Sequence, residues 1–481
     1  MLSDCLLTTG LAPYVPNTDM PWDAQRARHV FRRLGFGASD QLIQSALTKS
    51  PGELVDELLD DALFAEPIPT PVWSQWSASQ YNDFQQQAQE QILDFGLAYL
   101  NDMLTNPLRA KLTLFWQNHF VTRFEQYACP SWMYQYYQIL EQNCFGNFKT
   151  FTKEVGVTPA MLVFLNGVQN TRLSPNENYA RELFELFTLG RDQGYTEMDI
   201  TESARALTGW NGFSELCAPI GFTPLLHDPG QKTIFGRIGA WNYDSLHDIL
   251  FEERAALIAR HVCRKLYRHY VSPDVDEEFV SELANILLTA NFELEPVYRV
   301  LFKSERFFDN GVISTRIKSP LELFIAFVRE SEFPMPVEIR TLLLFQAAEL
   351  GQLVFNPPDV SGWPGDKAWV TSSLLTQRWI ALDAFIWQTF INEPHVLTDW
   401  IKEVAPSWDQ PEVIVKAFVD ALLPQPLQRE EDYHALVLTF KSEIPENYFE
   451  DGSWNLDWVT VPAQTGLLLQ QIIRLPEFQI N

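Results

Sequence analysis

Apolar residues recur at helical spacing along most of this chain of 481 residues. At least nine segments carry the pattern, among them "LRAKLTLFWQNHF" and "SPLELFIAFVRES". Spacings of three and four residues place these side chains on one face of a helix, where a core can cover them. Proline follows Ser50 and Asn106 at the first helical position, which is typical of helix starts. The sequence therefore predicts a mostly α fold with a large multi-helix body.

Two stretches interrupt the helical pattern. Residues 210–243 and 356–370 are rich in Gly and Pro, and "FTPLLHDPGQKTIFG" predicts two short strands around a DPGQ turn. We therefore expect one short β-hairpin at about 220–236 and two long irregular loops. Ordered loops of this length inside a compact protein are usually functional.

The length of the chain exceeds the usual size of one hydrophobic core. We expect a single unit over residues 1–481, with two packed helical subdomains and a boundary near 240–250 as the alternative to one body. The 15 Trp and 34 Phe residues predict an aromatic interior.

Acidic residues outnumber basic ones, 62 against 35, which gives a formal charge of −27. Such a charge repels nucleic acid phosphates and anionic membrane surfaces. The one basic stretch, "RARHVFRR" at 26–33, is interpreted as the solvated face of a short helix. No apolar run of about 18 residues predicts a membrane span. The sequence thus predicts a soluble protein that neither binds nucleic acid nor inserts into a membrane.

The five cysteines are scattered without a CxxC pair. This pattern predicts free thiols in a reducing compartment rather than a disulfide framework. The first twenty residues lack the basic segment of a signal peptide. Cytoplasmic localisation is the default expectation, and export together with a partner is the alternative.

The stretch "SPNENYARELFELFTLG", residues 174–190, has two interpretations. In the first, Ser174 and Glu177 form a capping box with Pro175 in the first turn, and the charged residues solvate one helix face. In the second, this helix and "YTEMDITESARALTGW" form a hairpin, and the following loop folds back over the polar face. Glu182 or Glu185 would then meet an imidazole in a cleft, where such groups ligate a metal or share a proton.

Seven blocks of the chain, taken in order, are similar to a known family. They are "HVFRRLGFGAS", "LRAKLTLFWQNHF", "NENYARELFELFTLG", "YTEMDITESARALTGW", "HDPGQKTIFG", "KSPLELF" and "LGQLVFNPPDVSGWPGDKAWV". Together they resemble the bacterial domain-of-unknown-function family 1800, from about His29 to the terminal "LPEFQIN". The resemblance implies no activity. Members of the family often have a gene neighbour similar to sulfatase-like proteins that carry export signals, so the resemblance makes such a protein a candidate partner. Many members carry a signal sequence themselves.

These observations leave two functions open. The first is an enzyme or ligand-binding protein with a polar cleft between the 175–209 hairpin and the loops 210–243 and 356–370. Its predicted catalytic residues are Glu182, Glu185, His119, His227 and Asp228. Its predicted substrate-binding residues are Arg181, Lys232, Trp210 and Trp363. The candidate metal ligands are His119, Glu182, Glu185 and His227.

The second function is a non-catalytic assembly or export partner of a sulfatase-like secreted protein. No phosphate-binding glycine motif, GxSxG or HExxH occurs, so a nucleotide cofactor is disfavoured, whereas a metal ion stays an alternative. Convergence of the polar residues in a concave pocket would favour the first function. Their dispersal, with a large apolar patch elsewhere, would favour the second.

Overall fold

Helices dominate the computed structural model, which describes residues 10–481. This part of the chain contains 23 α-helices and one pair of strands, which confirms the mostly α fold. None of these helices is long and apolar enough to cross a membrane. Residues 1–9, which include Cys5, lie outside the described part of the chain.

The α-helices up to the first long loop are α1 (Ala24–Leu34), α2 (Asp40–Ala46), α3 (Pro51–Phe64), α4 (Phe84–Thr105), α5 (Pro107–His119), α6 (Phe124–Tyr127), α7 (Pro130–Asn143), α8 (Phe148–Gly156), α9 (Pro159–Phe164), α10 (Asn178–Glu182) and α11 (Glu197–Ala206). A π-helix, called the π segment below, covers Leu183–Thr188. The later helices are α12 (Tyr243–Glu253), α13 (Ala255–Tyr270), α14 (Glu277–Thr289), α15 (Glu295–Lys303), α16 (Pro320–Ser331), α17 (Val337–Glu349), α18 (Ser372–Asn392), α19 (Pro394–Val404), α20 (Pro411–Leu422), α21 (Glu430–Lys441), α22 (Asn447–Glu450) and α23 (Val461–Ile472).

Side-chain caps fix where several helices begin. Ser319 and Glu322 form a reciprocal capping box at the start of α16, with Pro320 in the first turn. Thr196 and Asp199 form the same arrangement at the start of α11. Because each box satisfies backbone N–H groups that a helix start leaves open, these residues locate the first turn.

The described chain divides into two compact units, each built from stretches that lie apart in sequence. Unit 1 comprises the described residues through Pro13, Asp56–Phe307 and Leu353–Trp363, and unit 2 comprises Tyr14–Val55, Phe308–Gln352 and Pro364–Asn481. The boundary predicted near 240–250 lies inside unit 1.

Aromatic side chains form much of the core in unit 1. The ring of Phe355 lies 5.5, 5.8 and 6.1 Å from those of Phe95, Tyr99 and Tyr137. Aromatic pairs at these distances contribute about 0.5–1.5 kcal/mol each beyond their buried area. These contacts therefore hold the segment Leu353–Trp363 in unit 1, although it is distant in sequence from the other residues of that unit.

The core of unit 2 joins three of its helices. Phe327 of α16 lies 6.0 Å from Phe385 of α18 and 6.2 Å from Trp400 of α19, measured between ring centroids. Phe333, which follows α16, stands edge-on to Phe327 at 5.4 Å. These contacts fix the positions of α16, α18 and α19 within the unit.

The predicted β-hairpin exists and lies somewhat later than residues 220–236. Strands β1 (Lys232–Ile234) and β2 (Arg237–Gly239) pair in antiparallel register. Phe235 and Gly236 form the turn with φ of 50° and 82°. A two-residue turn of this kind needs positive φ at both positions, and glycine adopts it without strain. The turn therefore forms at the Phe-Gly pair and not at DPGQ.

Cys129 and Cys217 form a disulfide, with Cα atoms 5.7 Å apart and a sequence separation of 88. The prediction of free thiols was wrong for this pair. Because the first long loop returns to the start of α7, two cysteines without a recognisable spacing meet. Trp132 of α7 fixes the approach by donating its indole N–H to the Ala218 carbonyl at 3.1 Å. The other described cysteines are buried free thiols, Cys144 and Cys263.

Candidate functional site

The predicted helical hairpin is present in unit 1, but its first helix begins later than the pattern indicates. The predicted capping box from Ser174 to Glu177 is not formed, because Glu177 itself precedes the first helical residue. The Asn176 side chain accepts the Asn178 N–H at 3.0 Å and supports the start instead. After α10 the chain continues as the π segment. Single turns of π-helix are rare and often lie at functional sites.

Arg181, predicted to bind an anionic substrate, lies among three carboxylates of its own chain. Its guanidinium is 2.8 Å from Glu197, 3.2 Å from Glu177 and 3.5 Å from Glu185. The hydrogen bond to Glu197 is the main cause of a raised Arg181 pKa. Thr201 of α11 also donates to Glu177 at 2.7 Å. Arg181 therefore ties α10 to α11, and its charge is already balanced.

The two carboxylates predicted as acid and base have different surroundings. Glu185 pairs with Arg181 at 3.5 Å and with Arg191 at 3.3 Å. Glu182 is half-buried and has no ion pair within residues 10–481. Burial raises its pKa, and the neighbouring Glu185 charge raises it further. Glu182 therefore holds a proton more readily than a free glutamate side chain does.

Replacing both Glu182 and Glu185 by Gln is expected to change the free energy of unfolding by less than about 1 kcal/mol. The loss of the Glu185 ion pairs is offset, because the repulsion between the two carboxylates disappears. Urea unfolding and elemental analysis of metal content check this. Glu177→Gln is the control, since its amide still accepts from Thr201. A metal bound by the wild type and the control but lost from the double variant would contradict the expectation and assign these carboxylates to a ligand site.

His119 ends α5 and joins a cluster that includes two residues absent from the predicted site. Its Nε2 lies 3.0 Å from the Phe187 carbonyl, and its Nδ1 lies 3.0 Å from Lys265 Nζ. Lys265 also donates to the Leu186 carbonyl at 2.9 Å, and His261 Nε2 lies 3.1 Å from the same oxygen. Because the lysine can only donate, His119 accepts at Nδ1 and donates from Nε2. The cluster thus binds carbonyl groups of the π segment.

Burial controls the protonation of this cluster. It lowers the pKa of Lys265 to about 8 and that of His261 to about 4. It also lowers the His119 pKa well below its usual value, with the Lys265 charge as the second cause. A lysine that titrates near neutral pH suits proton transfer. His261 and Lys265 are four residues apart in α13, so their shared helix face was the signal available in the sequence.

His227 and Asp228 lie beside the end of α11. His227 Nδ1 is 3.2 Å from Thr208 Oγ1, and Asp228 accepts from Arg205 Nε at 2.7 Å. Burial is the largest single cause and would raise the Asp228 pKa, but the bonds from Arg205 and the Gly230 N–H, together with the charges of Arg205 and Lys232, outweigh it and the pKa is lowered. No hydrogen bond or ion pair among residues 10–481 joins this pair to Glu182 or Glu185.

Lys232 opens β1 with a buried side chain. Its ammonium donates to the backbone carbonyls of Asp228 at 2.6 Å and Gly230 at 3.0 Å. Burial is the main cause of its lowered pKa. The Lys232 ammonium therefore holds the turn before the β-hairpin.

The two tryptophans predicted to wall one pocket lie against different neighbours. The Trp210 ring is 5.7 Å from both Phe222 and Tyr243. Trp363 is buried, and its backbone N–H donates to the Asn118 side chain at 2.7 Å. Each tryptophan thus fixes its own loop.

The candidate metal ligands are not assembled into one set. Within residues 10–481, no group of three or more His, Cys, Asp and Glu side chains is arranged to hold a metal ion. His119 contacts Lys265 and the π segment, whereas His227 contacts Thr208. The structure brings His119 together with the unpredicted His261 and Lys265. It also pairs Arg181 with Glu185 and Lys232 with the Asp228 carbonyl, but it does not gather the predicted residues into one set of metal ligands.

A groove lined by apolar side chains lies in unit 2 between α16, α17 and α18. Phe324, Phe327, Leu342, Leu343 and Phe385 are among the residues that line it. A second depression shares Ile339 and Phe385 with it and ends at polar Gln388, Asn392 and Glu393. The two depressions together are called the apolar groove below.

Large apolar side chains of α17 and α18, two of the helices that form the apolar groove, are exposed. Phe345 of α17 is 58% exposed, and Ile380 and Trp387 of α18 are 62% and 55% exposed. Val337 and Leu342 of α17 are exposed as well. Leu342 also lines the groove. Ile380 and Trp387 lie, by helical spacing, on the other face of α18 from Phe385. An exposed apolar side chain at an apolar groove is typical of an interaction surface.

The basic stretch 26–33 is buried in unit 2, and its interpretation as a solvated face was wrong. Arg26, Arg32 and Arg33 are at most 2% exposed. Arg32 forms a two-pronged pair with Glu330 of α16, at 2.5 Å from Nε and 3.0 Å from Nη2. The charge pattern of one helix does not reveal a carboxylate that a distant helix supplies, so burial could not be read from it.

Comparison with known proteins adds one finding to this geometry. The family model described as "Protein of unknown function (DUF1800)" matches residues 29–480, nearly the whole chain. The match agrees with the resemblance carried by the seven sequence blocks. No curated protein and no solved structure matches the chain.

Proposed function

Because this chain belongs to the DUF1800 family, which is described without an activity, we propose its function from geometry: the apolar groove of unit 2 binds an amphipathic helix of a partner protein. One observation carries the proposal: the groove is lined by apolar side chains of three helices, and one of them, Leu342, is exposed. An amphipathic helix that lays its apolar face into such a groove is a common mode of protein recognition.

The polar residues of unit 1 support this choice indirectly. Arg181, Glu185, Asp228 and Lys232 are paired with groups of their own chain. A small-molecule site usually presents a few unpaired polar groups to a concave pocket. Polar residues that do not converge, together with an apolar patch elsewhere, favour a chain that binds a partner protein over a chain that is an enzyme.

Charge complementarity indicates the chemistry of the partner helix. Glu338 and Glu349 of α17 are exposed, and Glu393 lines the polar end of the groove. Arg340 of the same helix is half-buried. Acidic groups beside an apolar groove attract a helix that carries Lys or Arg next to its apolar face, and they repel nucleic acid.

The disulfide indicates the kind of compartment in which the chain binds its partner. Cys129 and Cys217 are joined in unit 1, and disulfides form and persist mainly in oxidising compartments. We infer that the chain works in such a compartment rather than in the cytoplasm. A sulfatase-like exported neighbour, implied by the family resemblance, is the partner that fits this location.

Binding of a defined peptide tests the proposal. The probe is a labelled amphipathic peptide of about 18 residues, with Leu and Phe on one helical face and Lys on the other. Leu342→Ser is expected to weaken its binding at least about tenfold, since Leu342 lines the groove and is exposed, and truncating a central apolar contact typically removes more than about 1 kcal/mol. Fluorescence anisotropy with the full chain measures the affinity.

Leu438→Ser is the matched control, because Leu438 is 56% exposed on α21 and does not line the groove. It should leave the affinity unchanged. Equal affinity for a scrambled peptide of the same composition, or equal loss in both variants, would refute docking at the groove.

A second candidate function, a ligand-binding or catalytic site at the hairpin of unit 1, has one supporting observation. Lys265 contacts His119 at 3.0 Å and has a pKa of about 8. This arrangement suits a proton carrier beside the π segment. Lys265→Met tests it: unchanged small-molecule and metal binding in that variant would remove the support.

A further inference from the structure

The amine of Lys265 lies between α13 and the π segment of unit 1, where two acceptors fix its orientation. Its Nζ is 3.0 Å from His119 Nδ1 and 2.9 Å from the Leu186 carbonyl oxygen. A lysine nitrogen has three positions beyond the bond to its own carbon. The two acceptors use two of them, and the third has no hydrogen-bond or ion-pair partner among residues 10–481. The nitrogen therefore keeps one free direction.

Both protonation states of Lys265 are compatible with these two contacts. The ammonium has three N–H groups and the neutral amine has two, so either form can donate to His119 and to the Leu186 carbonyl. In the neutral form the free position holds the nitrogen lone pair. Loss of a proton thus turns this position from a donor into a nucleophile, and neither hydrogen bond has to break.

The charged groups on the elements around Lys265 are paired elsewhere. Glu185, the carboxylate of the π segment, pairs with two arginines, and Arg264 of α13 pairs with a glutamate of α14. His119 of α5 and His261 of α13 have lowered pKa values and are uncharged at neutral pH. Burial lowers the pKa of Lys265 to about 8, so about a tenth of the amine is neutral at pH 7.

The surroundings of the amine are apolar on one side and solvated on the other. His119 is 3% exposed, and its ring lies 5.1 Å from that of Trp116 and 4.4 Å from that of Phe120. Lys265 and Leu186 are partly exposed, so solvent reaches this edge of the π segment. A small molecule can therefore approach an amine that the protein interior has partly desolvated, and such lysines act as nucleophiles.

We propose that Lys265 is a covalent binding site for a small uncharged aldehyde or ketone, which it holds as a Schiff base. The Nζ lone pair adds to the carbonyl carbon, a C=N bond forms, and the carbonyl oxygen leaves as water with the two amine hydrogens. An uncharged ligand fits because His119 and His261 are uncharged and the net charge of −27 repels anions. The proposal does not depend on the apolar groove, and it gives the candidate site of unit 1 a ligand class.

Reductive trapping of acetaldehyde by the full chain tests this site. Cyanoborohydride reduces the imine to a stable alkyl-lysine, and peptide mass spectrometry then gives the rate of modification at each lysine. Lys153 is one control, because it is a partly exposed lysine of unit 1 that pairs with Asp244 at 2.8 Å. Lys232 is the matched control, because it also donates to two acceptors but is only 1% exposed.

Lys265 is expected to react at least about tenfold faster than Lys153 and Lys232 at pH 7. Its rate should rise about tenfold between about pH 6 and about pH 7 and level off above about pH 8, as the neutral fraction of its amine does. Unfolding in urea should remove the difference among the three lysines. Equal rates in the native protein, or a rate at Lys265 that does not level off, would overturn the proposal.

Lys265→Arg separates the covalent role from the structural one. Arginine keeps a cation that donates to the Leu186 carbonyl, but it forms no imine under these conditions. At one equivalent of acetaldehyde, intact-mass analysis should show one adduct on the wild type and at least about tenfold less on the variant. An equal yield in both proteins would contradict the assignment. Peptide binding at the apolar groove is measured separately, so this failure would leave that proposal standing.

Discussion

Replacing Cys129 and Cys217 by Ser is expected to lower the free energy of unfolding of unit 1 by about 4 kcal/mol. The disulfide closes a loop with a sequence separation of 88. In the chain-entropy account, a cross-link stabilises because it restricts the unfolded chain, and the effect grows with loop length. Urea unfolding of the wild type and the double variant, followed by far-ultraviolet circular dichroism, measures the difference.

Reduction provides the control for this prediction. A reductant should destabilise the wild type by a similar amount and leave the double variant unchanged. The buried thiols Cys144 and Cys263 are present in both proteins, so they do not contribute to the difference. Equal stability of oxidised and reduced wild type would contradict the predicted role of the disulfide.

Gly156→Ala is expected to destabilise unit 1 by about 3 kcal/mol, although alanine is normally the better helix former. Gly156 ends α8, and a Cβ there would overlap the hydroxyl oxygens of Tyr179 and Tyr243 and lie 2.8 Å from Tyr179 Cζ. The Tyr243 hydroxyl is itself held, since it donates to the Lys153 carbonyl at 2.6 Å. Neither buried ring can move without disturbing its neighbours. Thermal unfolding of the variant measures the effect.

A second helical glycine gives the matched control for this substitution. At Gly466 in α23, the nearest atom to an added Cβ is Ile386 Cγ2 at 4.0 Å. Gly466→Ala should therefore be neutral or stabilise by up to about 1 kcal/mol. A similar loss in both alanine variants would show that steric overlap with the tyrosines is not the cause.

The sequence predicted the features of the fold that depend on neighbouring residues. Helical periodicity predicted the mostly α fold, and the proline after Asn106 located the start of α5. The sequence did not predict the features that depend on residues far apart in the chain. The change to a π segment follows α10 without a local signal, and the pairing of Cys129 with Cys217 needs the path of the whole loop.

The candidate sites were less predictable for the same reason. Arg32 and Arg33 looked solvated because Glu330 and Glu322 come from another part of the chain. In α17 the sequence "VEIRTLLLFQAAE" carries apolar residues on several sides, which indicates burial on all of them. The exposure of Phe345 became visible only once the neighbouring helices were placed.

Hydrogen exchange of the full chain with the amphipathic peptide tests the proposed docking most directly. If the peptide occupies the apolar groove, amides of α17 and of the adjoining part of α18 should exchange more slowly in its presence, because a bound helix restricts their local opening. Amides of α21 should exchange at the same rate with and without it. Unchanged exchange in α17 at saturating peptide, or slowing confined to unit 1, would contradict the proposal that this chain binds a partner through the groove.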